Sequence, residues 1–247
     1  MSQTPPPRTT RRGESVEIPG PRMSGWLVLI GGGEFSFGET EEVDRFLLDR
    51  MPADRRKVAF LPTASGSPDY AKHFAEYLTR LDPSVEVRNV PVYRSRDARR
   101  RKNLDLIRES GMVYFGGGVT NRLLDAVRGE PAAEALLDVL AAGGVVAGIG
   151  ASAECLGEIT RSMLTLGAPL DGLSYIPGGL VISHHSGDWN PNFEMLMRHQ
   201  RVTIGIAIPE RCALAISPDR EGEILGEGTV AVVRKQLGAA STFGTTT

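Results

Sequence analysis

The stretch GGVVAGIGASAECLGE, residues 143–158, decides the fold. An unalternated apolar run, VVAGI, meets a turn of small residues and then a segment with helical spacing. That pattern reads as a strand buried on both faces, passing through a tight turn into a helix. Acyl-transfer sites hold a nucleophile on such a turn, its oxygen over the sheet and the amides of the helix start facing the developing oxyanion. The small residues are present, but the serine, Ser152, stands two places beyond the apex.

The same unit repeats upstream. WLVLIGGG leads to TEEVDRFLLDRM, KVAFLPTAS to DYAKHFAEYLTRL, VEVRNVPV to NLDLIRES, and MVYFGGG to TNRLLDAV and EPAAEALLDVLAAG. Strand and helix alternation with unalternated strands predicts a mostly parallel sheet covered by helices on both sides. The glycines Gly31–Gly33, Gly116–Gly118, Gly148 and Gly150 fall at the strand ends where such sheets bind ligands. ASAECLGEI reads as one helix, FEMLMRHQ as another. RVTIGIAI, CALAISP, GEILGE and GTVAVVR are spaced as an antiparallel meander. The expected fold class is α/β: a three-layer α/β/α sandwich with a mostly parallel sheet and a C-terminal antiparallel strand group. Its expected limits are 26–235, between a disordered tail at 1–25 and a flexible tail at 236–247.

With 247 residues, 41% apolar content and a net charge of −2, the chain supports one sizeable core and lacks the charge footprint of nucleic-acid or anionic-membrane binders. The basic run RSRDARRRK at 94–102 reads as a solvated loop. The apolar window 135–153 is interrupted by Asp138 and four glycines, which argues against a membrane span. The N-terminal segment has no apolar core of the signal-peptide kind, so a cytoplasmic location is expected. Cys155 and Cys212 are far apart and outside any zinc-type spacing, so both read as buried thiols and no metal is expected.

Taken together, LVLIGGGE, KVAFLPTAS, MVYFGGG, the elbow, PGGLVISHHS and the closing strands resemble the cyanophycinase and dipeptidase E (aspartyl dipeptidase) family of serine peptidases, with the class I glutamine amidotransferase-like fold. The resemblance covers nearly all of 26–234. Its elbow pattern, G-G-V-x-A-G-T-S-A-G-A, matches Gly143, Gly144, Val145, Ala147, Gly148, Ala151 and Ala153, but Gly150 takes the serine slot and Ser152 takes a glycine slot. The resemblance implies His184 as the catalytic histidine and places Gly117, Gly118, Thr120, Gly150 and Ala151 in the pocket and oxyanion region. Glu154, Glu158 and Asp171 are acidic candidates for orienting His184, and the sequence does not choose among them. Cyanophycinase has Asp-Gln after its glycine strand end, where this chain has Val119 and Thr120, so recognition of a cyanophycin chain is not expected.

Two readings of the elbow stay open. In the first, the glycine in the serine slot ends hydrolysis, leaving a pseudoenzyme that binds a small peptide or amino-acid-like ligand or assembles with a partner, a homodimer being compatible with the resemblance. In the second, Ser152 and His184 form an active serine peptidase or amidohydrolase acting on short peptides or isopeptides, which needs a register shifted by two residues. Without that shift Ser152 reads as a helix N-cap. Gly148-Ile149-Gly150-Ala151-Ser152-Ala153 also matches the dinucleotide string G-x-G-x-x-A, with Asp171 near the expected spacing. It lies on the fifth expected strand rather than the first, so no cofactor is expected.

Overall fold

The computed structural model describes residues 8–165, 167–186 and 191–235. In chain order the elements are β1 (Arg8–Thr10), β2 (Val16–Glu17), β3 (Trp26–Ile30), α1 (Glu41–Arg50), β4 (Lys57–Leu61), α2 (Pro68–Leu81), β5 (Glu86–Asn89), α3 (Arg101–Arg108), β6 (Met112–Phe115), α4 (Thr120–Val127) and α5 (Pro131–Ala141). They continue as β7 (Val145–Ile149), α6 (Ala151–Cys155), β8 (Gly157–Arg161), β9 (Pro169–Asp171), β10 (Ile176–Ile182), α7 (Pro191–Met197), β11 (Ile204–Ala207), β12 (Cys212–Ile216), β13 (Glu221–Gly226) and β14 (Val230–Arg234).

The main sheet has the order β2-β13-β12-β3-β7-β6-β4-β5. Its strands β3, β7, β6, β4 and β5 run parallel, as the apolar runs predict. Successive residues of β3 explain why those runs do not alternate. Val28 and Ile30 pack with Val43 and Leu47 of α1 and Phe74 of α2. Leu27 and Leu29 face the other core, with Leu136 and Val139 of α5 and Ile204 and Ile206 of a second sheet. In α2, Ala71, Phe74, Tyr77 and Leu78 are buried at the spacing of one helical face. The second sheet, β1-β14-β11-β10-β8-β9, packs its outer side under Phe193, Leu196 and Met197 of α7.

Three expectations are revised. ASAECLGEI is not one helix: α6 ends at Cys155, and Gly157–Arg161 is drawn into β8 by pairing with β10. The closing strands are not a continuous meander. β12 and β13 form a hairpin in the main sheet, with β12 antiparallel to β3, whereas β11 and β14 pair in the second sheet. The tail read at 1–25 is structured from residue 8 onward: β1 pairs with β14, β2 with β13, and the Ile18 side chain is buried in the core. Residues 236–247 lie outside the described residues. Among the described residues no helix is long and apolar enough to cross a membrane, and both cysteines are free and buried.

Candidate active site

A cavity of about 240 Å³ opens at the C-terminal ends of β3, β6 and β7, between their glycine turns and the end of β10. Its lining includes Gly117, Gly118, Gly150, Ala151 and His184, five of the seven residues expected from the sequence. The other two, Ser152 and Thr120, are elsewhere.

Gly150 is the apex of the elbow. It connects β7 to α6 with φ +59° and ψ −124°, a conformation L-residues adopt only under strain. Its N–H donates to the Ile30 carbonyl at 2.9 Å, and its own carbonyl accepts from Glu154 N–H at 3.1 Å. The strained turn is thus held from both sides. A Cβ at this position would lie 3.2 Å from His184 Nε2, so the imidazole faces the place a nucleophilic side chain would occupy. The backbone places Gly150, not Ser152, at the apex of the turn.

His184 follows β10 with a left-handed φ of +52°, held by its N–H donating to Gly31 carbonyl at 2.8 Å. The ring packs against Gly32, where an added Cβ would lie 2.6 Å from its Cε1 and Nδ1, so the first glycine turn makes room for the histidine. Nδ1 lies 3.0 Å from Glu210 Oε1. With Nδ1 protonated toward this carboxylate, Nε2 is left as a base toward the elbow, the division of roles a hydrolytic histidine requires. Neither side chain is deeply enclosed: His184 is 52% exposed and Glu210 60%.

Glu210 was not among the acidic candidates from the sequence. Glu154 is bound to Arg161 and Ser183; Glu158 accepts from Gly178 N–H at 2.6 Å; Asp171 pairs with Arg128 and Arg201 in β9, at the edge of the second sheet. A signal existed, because Glu210 is a charged residue in a short loop just after β11, and such loops at parallel strand ends carry binding groups.

Ser152 is the second residue of α6 and 1% exposed. Its Oγ donates to the Gly116 carbonyl at 2.7 Å. It is therefore neither at the apex nor the N-cap, which is Gly150. Thr120 is fully buried at the start of α4, and its Oγ1 donates to the Arg161 carbonyl at 2.9 Å, tying α4 to the end of β8. Thr120 supports the wall and does not form it.

The floor of the cavity is polar and paired. Glu154, 1% exposed, receives Arg161 through Nε and Nη2 at 3.0 and 2.9 Å, and also accepts from Ser183 N–H and Oγ at 3.0 and 2.7 Å. This fully bonded carboxylate is fixed in place, and both it and Arg161 line the cavity. On the opposite wall, Tyr70 Oη lies 3.4 Å from Gly117 N, and burial pushes its hydroxyl up to about 12. No group of three or more His, Cys, Asp or Glu side chains is arranged to hold a metal among the described residues.

The sequence model of peptidase family S51 matches residues 27–224. The chain belongs to peptidase family S51. The Bacillus subtilis (strain 168) peptidase YgaJ, itself uncharacterized, is 29% identical over 201 residues, covering 78% of this chain and 84% of its own. The crystal structure of a peptidase from an acI-B1 actinobacterium superposes with a TM-score of 0.72 at 24% identity, covering 86% of this chain and 92% of that one. A peptidase E-like protein of Listeria monocytogenes EGD-e gives a TM-score of 0.57 at 16% identity, over 86% and 99% of the two chains. In this S51 chain the His184–Glu210 pair faces a strand-to-helix turn with glycine at its apex.

Proposed function

We propose that this S51 protein binds a small peptide or amino-acid-like ligand and does not form an acyl-enzyme. The observation that carries the reading is the strained glycine at the apex, with His184 Nε2 facing the vacant Cβ position. Gly150 supplies no oxygen to attack an acyl carbon. Ser152 cannot stand in for it, because its Oγ is committed to the Gly116 carbonyl in a packed interior, and a misplacement of ~1 Å already costs on the order of 100-fold in rate. The groups left in the cavity are suited to holding a ligand: the imidazole of His184, the Arg161 guanidinium, and the backbone around Gly117 and Ala151.

The test pairs labelling with binding. The purified protein should give no fluorophosphonate adduct by intact mass, while members of a dipeptide panel raise its melting temperature and are recovered uncleaved. An adduct mapped to Ser152, or dipeptide cleavage abolished by Ser152→Ala, would overturn the reading in favour of an active peptidase.

A further inference from the structure

At the other end of the main sheet, below the start of β3, a second cavity of about 270 Å³ lies between the segment preceding β3, the last turns of α5 and the turn joining β12 to β13. Its walls are largely apolar, with Pro21, Met23, Leu137, Leu140 and Tyr175 among them. Leu137 is 54% exposed. Arg22, Ser24, Ser174 and Arg220 are the polar residues of its lining, and of these Arg220 is buried, only 4% exposed.

Arg220 has no carboxylate within ion-pair distance among the described residues. Its Nε donates to Ile18 carbonyl at 3.4 Å, and its Nη2 to the carbonyls of Pro19 and Tyr175. Nη1, with two hydrogens, meets only the thioether of Met23 at 3.2 Å, a weak acceptor. A buried guanidinium without a counter-charge is costly even after the surroundings relax, and burial lowers its hold on the proton from the ordinary arginine value. The neighbouring carboxylate, Asp219, pairs outward with Arg22 at 3.1 Å, where both are well exposed. A guanidinium serving only to staple residues 18–23 to the β12–β13 turn would need neither an open Nη1 nor a cavity beside it.

We infer that this cavity is a second ligand site, distinct from the elbow, taking a small monocarboxylate whose charged end pairs with Arg220 and whose apolar body lies along Leu137, Leu140 and Met23. Apolar walls with a small number of polar groups are the usual composition of a small-molecule site, and the volume falls just below the ~300 Å³ where such sites commonly begin. The ligand is therefore short: an aromatic acid or a medium-chain fatty acid rather than a long one.

Sodium octanoate is the probe, with 1-octanol as its uncharged counterpart, read by isothermal calorimetry and thermal shift on the full chain. The expected result is saturable octanoate binding at least tenfold tighter than octanol. Leu137→Glu, which puts a negative charge at the mouth on an exposed helix position, should weaken octanoate at least tenfold. Arg220→Gln should erase the preference for the acid; should that variant fail to fold, Leu137→Glu still carries the test. His184→Ala should leave octanoate affinity unchanged. Absence of saturable binding, equal affinity for octanol, indifference to Leu137→Glu, or loss in His184→Ala would each overturn the site.

Discussion

A side-chain carbon on Gly150 would stand 3.2 Å from His184 Nε2. A hydroxyl carried on that carbon could reach the imidazole by rotation about one bond, in a backbone already bent for it. Gly150→Ser should therefore produce fluorophosphonate labelling at residue 150 and hydrolysis of activated esters above the level of the natural protein. The cost is about 1–3 kcal/mol for an L-residue at φ +59°. Adding Glu210→Gln to that variant should cut the gained turnover by about 100-fold, because the histidine loses the partner that orients it. No turnover in correctly folded Gly150→Ser would mean that a hydroxyl at this position and His184 do not by themselves make a hydrolytic site.

Ser152→Ala removes one buried hydrogen bond and leaves the Gly116 carbonyl without that donor. The expected loss is about 1–2 kcal/mol in urea denaturation, with dipeptide binding unchanged. A larger effect on ligand affinity than on stability would place the hydroxyl in the site.

The Glu154–Arg161 pair under the cavity is asymmetric in burial, with side chains 1% and 24% exposed. Arg161→Met strands the carboxylate and should destabilise the protein by about 3 kcal/mol, the lower end for such pairs because the guanidinium still reaches water. Glu154→Gln combined with Arg161→Met should recover part of that loss. A double-mutant cycle on the denaturation midpoint checks the coupling.

Asp44 in α1 is fully enclosed, accepting from Thr40 and Tyr77 at 2.7 and 2.8 Å, with its Oδ1 unpartnered. Burial raises its carboxyl to about 6, against an ordinary value of 3.8, with the nearby Glu41 charge adding to the effect. The folded state thus holds this proton more tightly than the unfolded chain. The stabilisation from it is complete below about pH 4 and is lost as pH rises through 6, a change on the order of 2–3 kcal/mol. In Asp44→Asn the denaturation midpoint should vary less between pH 5 and 7.5 than in the natural protein. An unaltered pH profile would show that Asp44 is ionised in the fold.

The basic run at 94–102, read as a solvated loop, is so only in part: Asp97 and Ala98 are buried, and Arg101 and Lys102 begin α3. Arg99 holds the Glu130 carboxyl down to about 2, with Ser95 assisting, while Asp97 accepts from the N–H groups of Tyr93 and Arg94. The parallel strands β3, β4, β6 and β7 were fully legible, because burial on both faces writes an apolar run directly into each of them.

The sequence by itself determined the parallel core and the position of the strand-to-helix turn at 148–153, since each depends on residues adjacent in the chain. Tertiary structure decided that Gly150 stands at the apex of that turn, its φ of +59° preceding α6. It also decided that Ser152 turns inward to Gly116, that Glu210 rather than Glu154, Glu158 or Asp171 meets His184, and that residues 8–17 add strands to both sheets. These are pairings between segments distant in sequence. Periodicity records how deeply a residue is buried, but the partner of a buried or charged group is chosen only when the elements pack.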